Sequence, residues 1–102
     1  MNNDDREVKI INIDNLDIIT NGTLEDMRKI NNPNQIGQVI YKDNEEIKSN
    51  ITPMIMIINQ GLKDYRQRLD IFVENGGNLD MEIDYYGRTT TARQIMNKYR
   101  NY

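Results

Sequence analysis

The sequence predicts an all-α chain, built from pairs of short helices joined by extended loops. Three observations carry that expectation. The stretch ITPMIMIINQG, residues 51–61, has Thr-Pro in front and Gly behind, which is helix punctuation. Around residues 63–77, Leu62, Tyr65, Leu69, Phe72 and Val73 fall on one helical face. The last segment, TARQIMNKYRNY, places Ala92, Ile95, Met96 and Tyr99 on one face.

The elements follow in order. Residues 1–13 form a polar N-terminal segment in which KIINI, 9–13, reads as a short strand or as the approach to a helix. Residues 14–22 give a short helix with Leu16, Ile18 and Ile19, stopped by Asn21-Gly22. Thr23 then caps a second short helix, with Asp26 three residues on as in a capping box. Pro33 ends it at or before Asn32. Residues 34–50 are the least helical part. They read as a loop or an extended hairpin, with 35–41 able to form a strand and KDNEE as a polar turn. In 51–61 the isoleucines favour a buried strand, but Thr52, Pro53 and Gly61 favour a helix apolar on most sides. The helix of 63–77 keeps Lys63, Asp64, Arg66, Gln67 and Arg68 on its solvent side and ends at Gly76, suited to a left-handed cap. Residues 78–88 read as an extended loop with a turn before the final helix.

The totals bound the function. A chain of 102 residues is one domain with a small core. Its net charge is −3, so it lacks the basic footprint of a nucleic-acid binder. It has no Cys and no His, which removes disulfides, thiolate nucleophiles, zinc-thiolate sites and the commonest general base. No apolar leader and no 18-residue apolar run is present, so the expected compartment is the cytoplasm, away from membranes. The abundance of Asn and Ile fits codon bias in an AT-rich genome such as that of a virus, a phage or an AT-rich bacterium. The carboxylate pairs Asp4-Asp5 and Glu45-Glu46 read as solvated loop charge. NIDNLD, 12–17, lacks the glycine and the terminal glutamate of a calcium loop.

The spacing also raises the question of a repeat. Thr52-Pro53-Met54 followed by Gly61 resembles the ankyrin pattern that starts with Thr-Pro-Leu and closes its first helix on Gly. ENGGNLD, 74–80, resembles the family's repeat ending, DYYGRT resembles the opening of the next repeat, and DIITNGTLEDMRKI resembles a first helix pair. The resemblance covers residues 14–102. It implies a short ankyrin-like solenoid of helix-turn-helix units joined by extended finger loops, in units of about 14–42, 43–80 and 81–102. The chain departs from the family in places, loop 34–50 being longer than the usual finger. Ile57 occupies the place of a small Ala, the interval from Gly61 to Gly76 exceeds the family's, and Thr90 or Thr91 stands where Pro would be.

Such a fold implies no enzyme, cofactor or metal. It implies protein binding through loop tips and the ends of first helices. The candidate residues are Tyr41, Lys42, Asp43, Asn44 and Glu45 in one loop, and Asp84, Tyr85, Tyr86 and Arg88 in the other, with Asn59 and Gln60 between. Tyr and Arg are enriched at binding hot spots. The expected function is sequestration or inhibition of a protein partner, basic in character to match the acidic chain. A viral or phage counter-defence protein and a toxin-immunity protein are the two settings. A small carboxylate-based hydrolase is the first alternative, and a subunit of a homo-oligomeric assembly the second.

Overall fold

A computed structural model describes residues 6–100 of the chain. The architecture is mixed α/β, which corrects the all-α solenoid: five strands form two antiparallel sheets alongside four helices. Strand β1 (Val8–Ile11) is followed by helix α1 (Leu16–Asn21) and a 3-10 helix (Glu25–Lys29). Strands β2 (Gly37–Tyr41) and β3 (Ile47–Ile51) form a hairpin, and helices α2 (Pro53–Gln60) and α3 (Tyr65–Glu74) come next. A second hairpin, β4 (Ile83–Tyr85) and β5 (Arg88–Thr90), leads into α4 (Ala92–Arg100).

The three-stranded sheet has the order β1-β2-β3. Val8 faces Tyr41 and Ile10 faces Val39 across one strand pair. Val39 faces Ser49 across the other, with a register shift between Val39 and Ile40. The Val, Ile and Tyr of these pairs suit a pleated, half-buried surface. The hairpin expected within 34–50, with a strand at 35–41, holds as β2 and β3; the other strands, of three or four residues, are too short for their alternation to stand out from the surrounding sequence. The expected boundary at 42/43 falls in the turn of the β2–β3 hairpin, and β1 lies inside the expected polar segment.

Helix α2 is the centre of the core. Thr52 caps it, accepting a hydrogen bond from the Ile55 amide, Pro53 opens its first turn, and Gly61 ends it at φ 73°. Six of its eight residues, Pro53 to Ile58, are buried. Ile57 is fully enclosed; helices α1, α3 and α4 all pack on α2, so the place near Ile57 accepts a large side chain. Thr23 and Asp26 exchange the two bonds of a capping box, and Thr91 and Gln94 do the same at the start of α4. Gly76 (φ 97°) ends α3: its amide bonds to Val73 O and the Gly77 amide to Phe72 O, a Schellman pair.

Two side chains depart from the expected helical faces. Val73 is exposed and Ile71 is buried in its place. Arg68, placed with the solvated residues by its charge, is 8% exposed. Its Nε donates to Asp64 Oδ1 at 2.8 Å and one terminal nitrogen donates to Gly22 O at 2.9 Å. The guanidinium thus ties α3 to the end of α1.

Candidate functional site

The site is a cleft between one face of the three-stranded sheet and the ends of α1 and α2. Antiparallel pairing puts directly opposed residues on the same face, so Val8, Ile10, Val39 and Ile51 share it. Those four side chains line the cleft, with Met56, Asn59 and Gln60 of α2, Thr20 of α1 and Tyr86 of the second hairpin. Its volume is about 340 Å³. That is at the small end of the roughly 300–1,000 Å³ of ligand clefts, room for one or two apolar side chains.

The hairpin that carries Tyr86 is held in place by its neighbour. The Tyr86 amide donates to Ser49 Oγ at 2.9 Å, and Asn50 Nδ2 donates to Asp84 O at 2.8 Å. Both donors and acceptors come from β3 and the hairpin, so the second sheet docks on the free side of β3 through side chains. Tyr86 and Gly87 form the two-residue turn at φ 51° and 80°. Both positive angles match the type I′ turn that suits hairpin twist. This conformation points the Tyr86 ring over the cleft, where it remains 48% exposed. Burial pushes its phenol above the ordinary value of 10.0, and neighbouring Tyr85 adds to the shift.

An aromatic strip with cations runs along the rim. The Arg6 guanidinium lies 3.7 Å from the centre of the Tyr41 ring. The Lys48 ammonium lies 5.4 Å from Tyr41 and 5.8 Å from Tyr86, within cation–π range of both. Tyr85 and Tyr86 meet edge to face, with centroids 4.7 Å apart. Asn59 Nδ2 then donates to the Tyr85 hydroxyl at 3.0 Å. Beyond Asn59 lies a second, more polar hollow lined by Ile58, Asn59, Tyr85 and Tyr99.

Of the residues singled out by sequence, Tyr41, Tyr85, Tyr86, Asn59 and Gln60 are thus brought together. Tyr41 is itself buried, so it supports the strip from beneath. Gln60 donates to Ile19 O at 3.0 Å and fixes the end of α2 against α1. Lys42, Asp43, Asn44 and Glu45 sit on the β2–β3 turn and do not line the cleft. Lys42 Nζ lies 3.5 Å from Glu7, and Asn44 Oδ1 accepts from the Glu46 amide to shape the turn. Asp84 and Arg88 are exposed on the second hairpin, outside the cleft. The sequence reading missed Val8, Ile10, Val39, Ile51 and Lys48. Their signal was alternation on three paired strands, which appears only once the strands are paired.

Among the described residues no three His, Cys, Asp or Glu side chains stand close enough to hold a metal ion, and no helix is long and apolar enough to cross a membrane. The pair Asp4-Asp5 lies outside the described residues. Comparison of the chain with protein-family models, with curated proteins and with solved structures finds no match. Those comparisons therefore identify no ankyrin-repeat relationship.

Proposed function

We propose that the chain is a non-enzymatic protein-binding module that sequesters a partner by occluding its surface. The observation that carries the reading is the apolar cleft with Tyr86 half-exposed at its mouth. A cleft of this size and lining takes a large apolar side chain from a partner segment, and an ordered tyrosine beside it is a hot-spot type. The side-chain amide nitrogens of Asn59 and Gln60 both donate within the chain, so these residues shape the cleft. The exposed acids Asp43, Glu45, Glu46 and Asp84, carried by the same two hairpins as the tyrosines, suit a basic flank on the partner. No carboxylate among the described residues lines the cleft. Among the described residues, the carboxylates whose values shift, Asp26 and Asp80, are held down by hydrogen bonds elsewhere, opposite to the raised value a general acid needs.

The test is affinity capture with the full chain from the cell that makes it, compared with Tyr86→Asn. That replacement removes the ring while keeping the Asn-Gly pair that type I′ turns favour. A stoichiometric protein partner is expected with the natural chain, weakened roughly tenfold or more by Tyr86→Asn. Val73→Ala, at an exposed position on α3 outside the cleft lining, is expected to bind normally. Capture of no stoichiometric protein, or undiminished capture by Tyr86→Asn, would overturn the reading.

A further inference from the structure

The sheet has two edges, and they are treated differently. The β3 edge is covered by the second hairpin through Ser49 and Asn50. Beyond β1, no other described strand pairs. An uncovered edge is a template for another strand. The direction of its hydrogen-bonding groups can be worked out. The Lys42 amide donates to Glu7 O at 2.9 Å, and the register puts 7 opposite 42. Backbone groups in an antiparallel strand alternate sides. Those of Glu7, Lys9 and Ile11 therefore point to β2, and those of Val8 and Ile10 point outward.

We propose that β1 pairs antiparallel with β1 of a second copy of this chain, about a two-fold axis through Val8. In this register the outward groups of Val8 meet those of the partner's Val8. Glu7 then lies opposite the partner's Lys9, and Lys9 opposite the partner's Glu7. The strand thus carries its own charge complement, and the symmetric contact makes both ion pairs at once. An edge lysine ordinarily deters pairing; here the register gives it a glutamate. The neighbouring registers fail on the same criteria. An axis through Lys9 opposes two ammonium groups. An axis through Ile10 brings Val8 against Asn12, whose φ of 63° leaves the extended conformation. An axis between two residues sets an outward-pointing group against an inward-pointing one. Pairing uses the backbone edge, whereas the cleft uses side chains perpendicular to it, so the dimer places two clefts on the same side of one continuous six-stranded sheet.

The experiment uses the natural chain, which has no cysteine. Sedimentation against concentration is expected to show a monomer–dimer equilibrium. Glu7→Lys and Lys9→Glu alone each set like charges opposite one another and weaken association roughly tenfold; the double exchange restores it. Val8→Cys is expected to form a disulfide-linked dimer on mild oxidation. Facing residues in such a pair lie about 5.5 Å apart at Cα, inside the roughly 4.4–6.8 Å that a disulfide spans. Lys9→Cys is expected to remain monomeric on the same gel. A chain that stays monomeric to millimolar concentration, a double exchange no better than the single ones, or equal cross-linking through position 9 would overturn the pairing. The pairing does not depend on the outside partner: a monomer that still captures that partner sinks only the dimer.

Discussion

Two isoleucine-rich stretches, Ile10–Ile13 and Ile55–Ile58, each hold three isoleucines in four positions, yet they do opposite work. The second lies in α2 with every side chain buried. The first begins in β1, where Ile10 and Ile11 are half-buried and Val8 is exposed. Composition does not separate them; the residues around them do. Thr52, Pro53 and Gly61 supply a cap, a first turn and a left-handed stop, so the α2 stretch closes its own backbone hydrogen bonds and can sit inside the core. Around β1 no cap precedes the apolar run, and Asn12 breaks the chain at a positive φ. Half of a strand's backbone groups point to each side, so β1 presents them both to β2 and away from it. One side is β2. On the other side no described strand pairs.

The contrast is broken most directly by removing the same atoms from each stretch. Ile57→Ala takes three side-chain carbons out of a fully enclosed position and is expected to lower stability by about 3 kcal/mol. Ile10→Ala acts on a half-buried wall and is expected to lower it by about 1 kcal/mol. Urea denaturation of the two variants checks this, with unchanged slope and a larger midpoint shift for Ile57→Ala. Equal shifts would mean that β1 belongs to the core as fully as α2 does.

Arg68 sharpens the contrast from the helical side. It is the one charged side chain among the described buried residues, and it holds α3 to α1 through Asp64 and Gly22. Arg68→Ala leaves the Gly22 carbonyl and Asp64 without their donor. A loss of about 2 kcal/mol is expected in the same denaturation assay. Capture by Tyr86 should persist below the midpoint, because neither partner of Arg68 lines the cleft. A loss of capture without a loss of stability would show that α1 is coupled to the site.

The helices were legible because their punctuation is local. Thr52, Gly61, Thr23 with Asp26, and Gly76 each act within a few residues and hold in the structure. The sheet was legible only in part: the hairpin expected within 34–50 holds as β2 and β3, but β1 joins it between residues about thirty apart, such as Ile10 and Val39. No short-range pattern contains that pairing. The same limit explains the site. Tyr85 and Tyr86 stood out by residue type, but the wall beneath them is made of ordinary Val and Ile whose common face exists only after β1, β2 and β3 align. Arg68 failed for another reason: a charged residue at a helical position is read as solvated unless its acceptors are known, and Gly22 lies far away in sequence.

The smallest effect separates the helical side from the cleft by pH. Asp26 is held below 3.8, first by the Thr23 amide and then by the Lys29 side chain; Asp80 is held below 3.8 by its hydrogen bonds to Arg93. For both, the folded state favours the carboxylate, so the unfolded chain binds more protons as pH falls. Their contribution is present above the ordinary carboxylate value and is lost as pH drops through and below it. Tyr86 has the reverse sign. Its raised phenol favours the neutral form, so its contribution is present below pH 10.0 and is lost above it. The acid limb of the stability profile therefore belongs to the caps and ties of the helices, and the alkaline limb includes the rim of the cleft. Asp80→Asn is expected to flatten part of the acid limb and leave the alkaline limb alone, and Tyr86→Phe to do the opposite. Thermal melts between pH 2 and 11 read both limbs, and an alkaline limb unchanged in Tyr86→Phe would mean that the ring is no more desolvated than a free tyrosine.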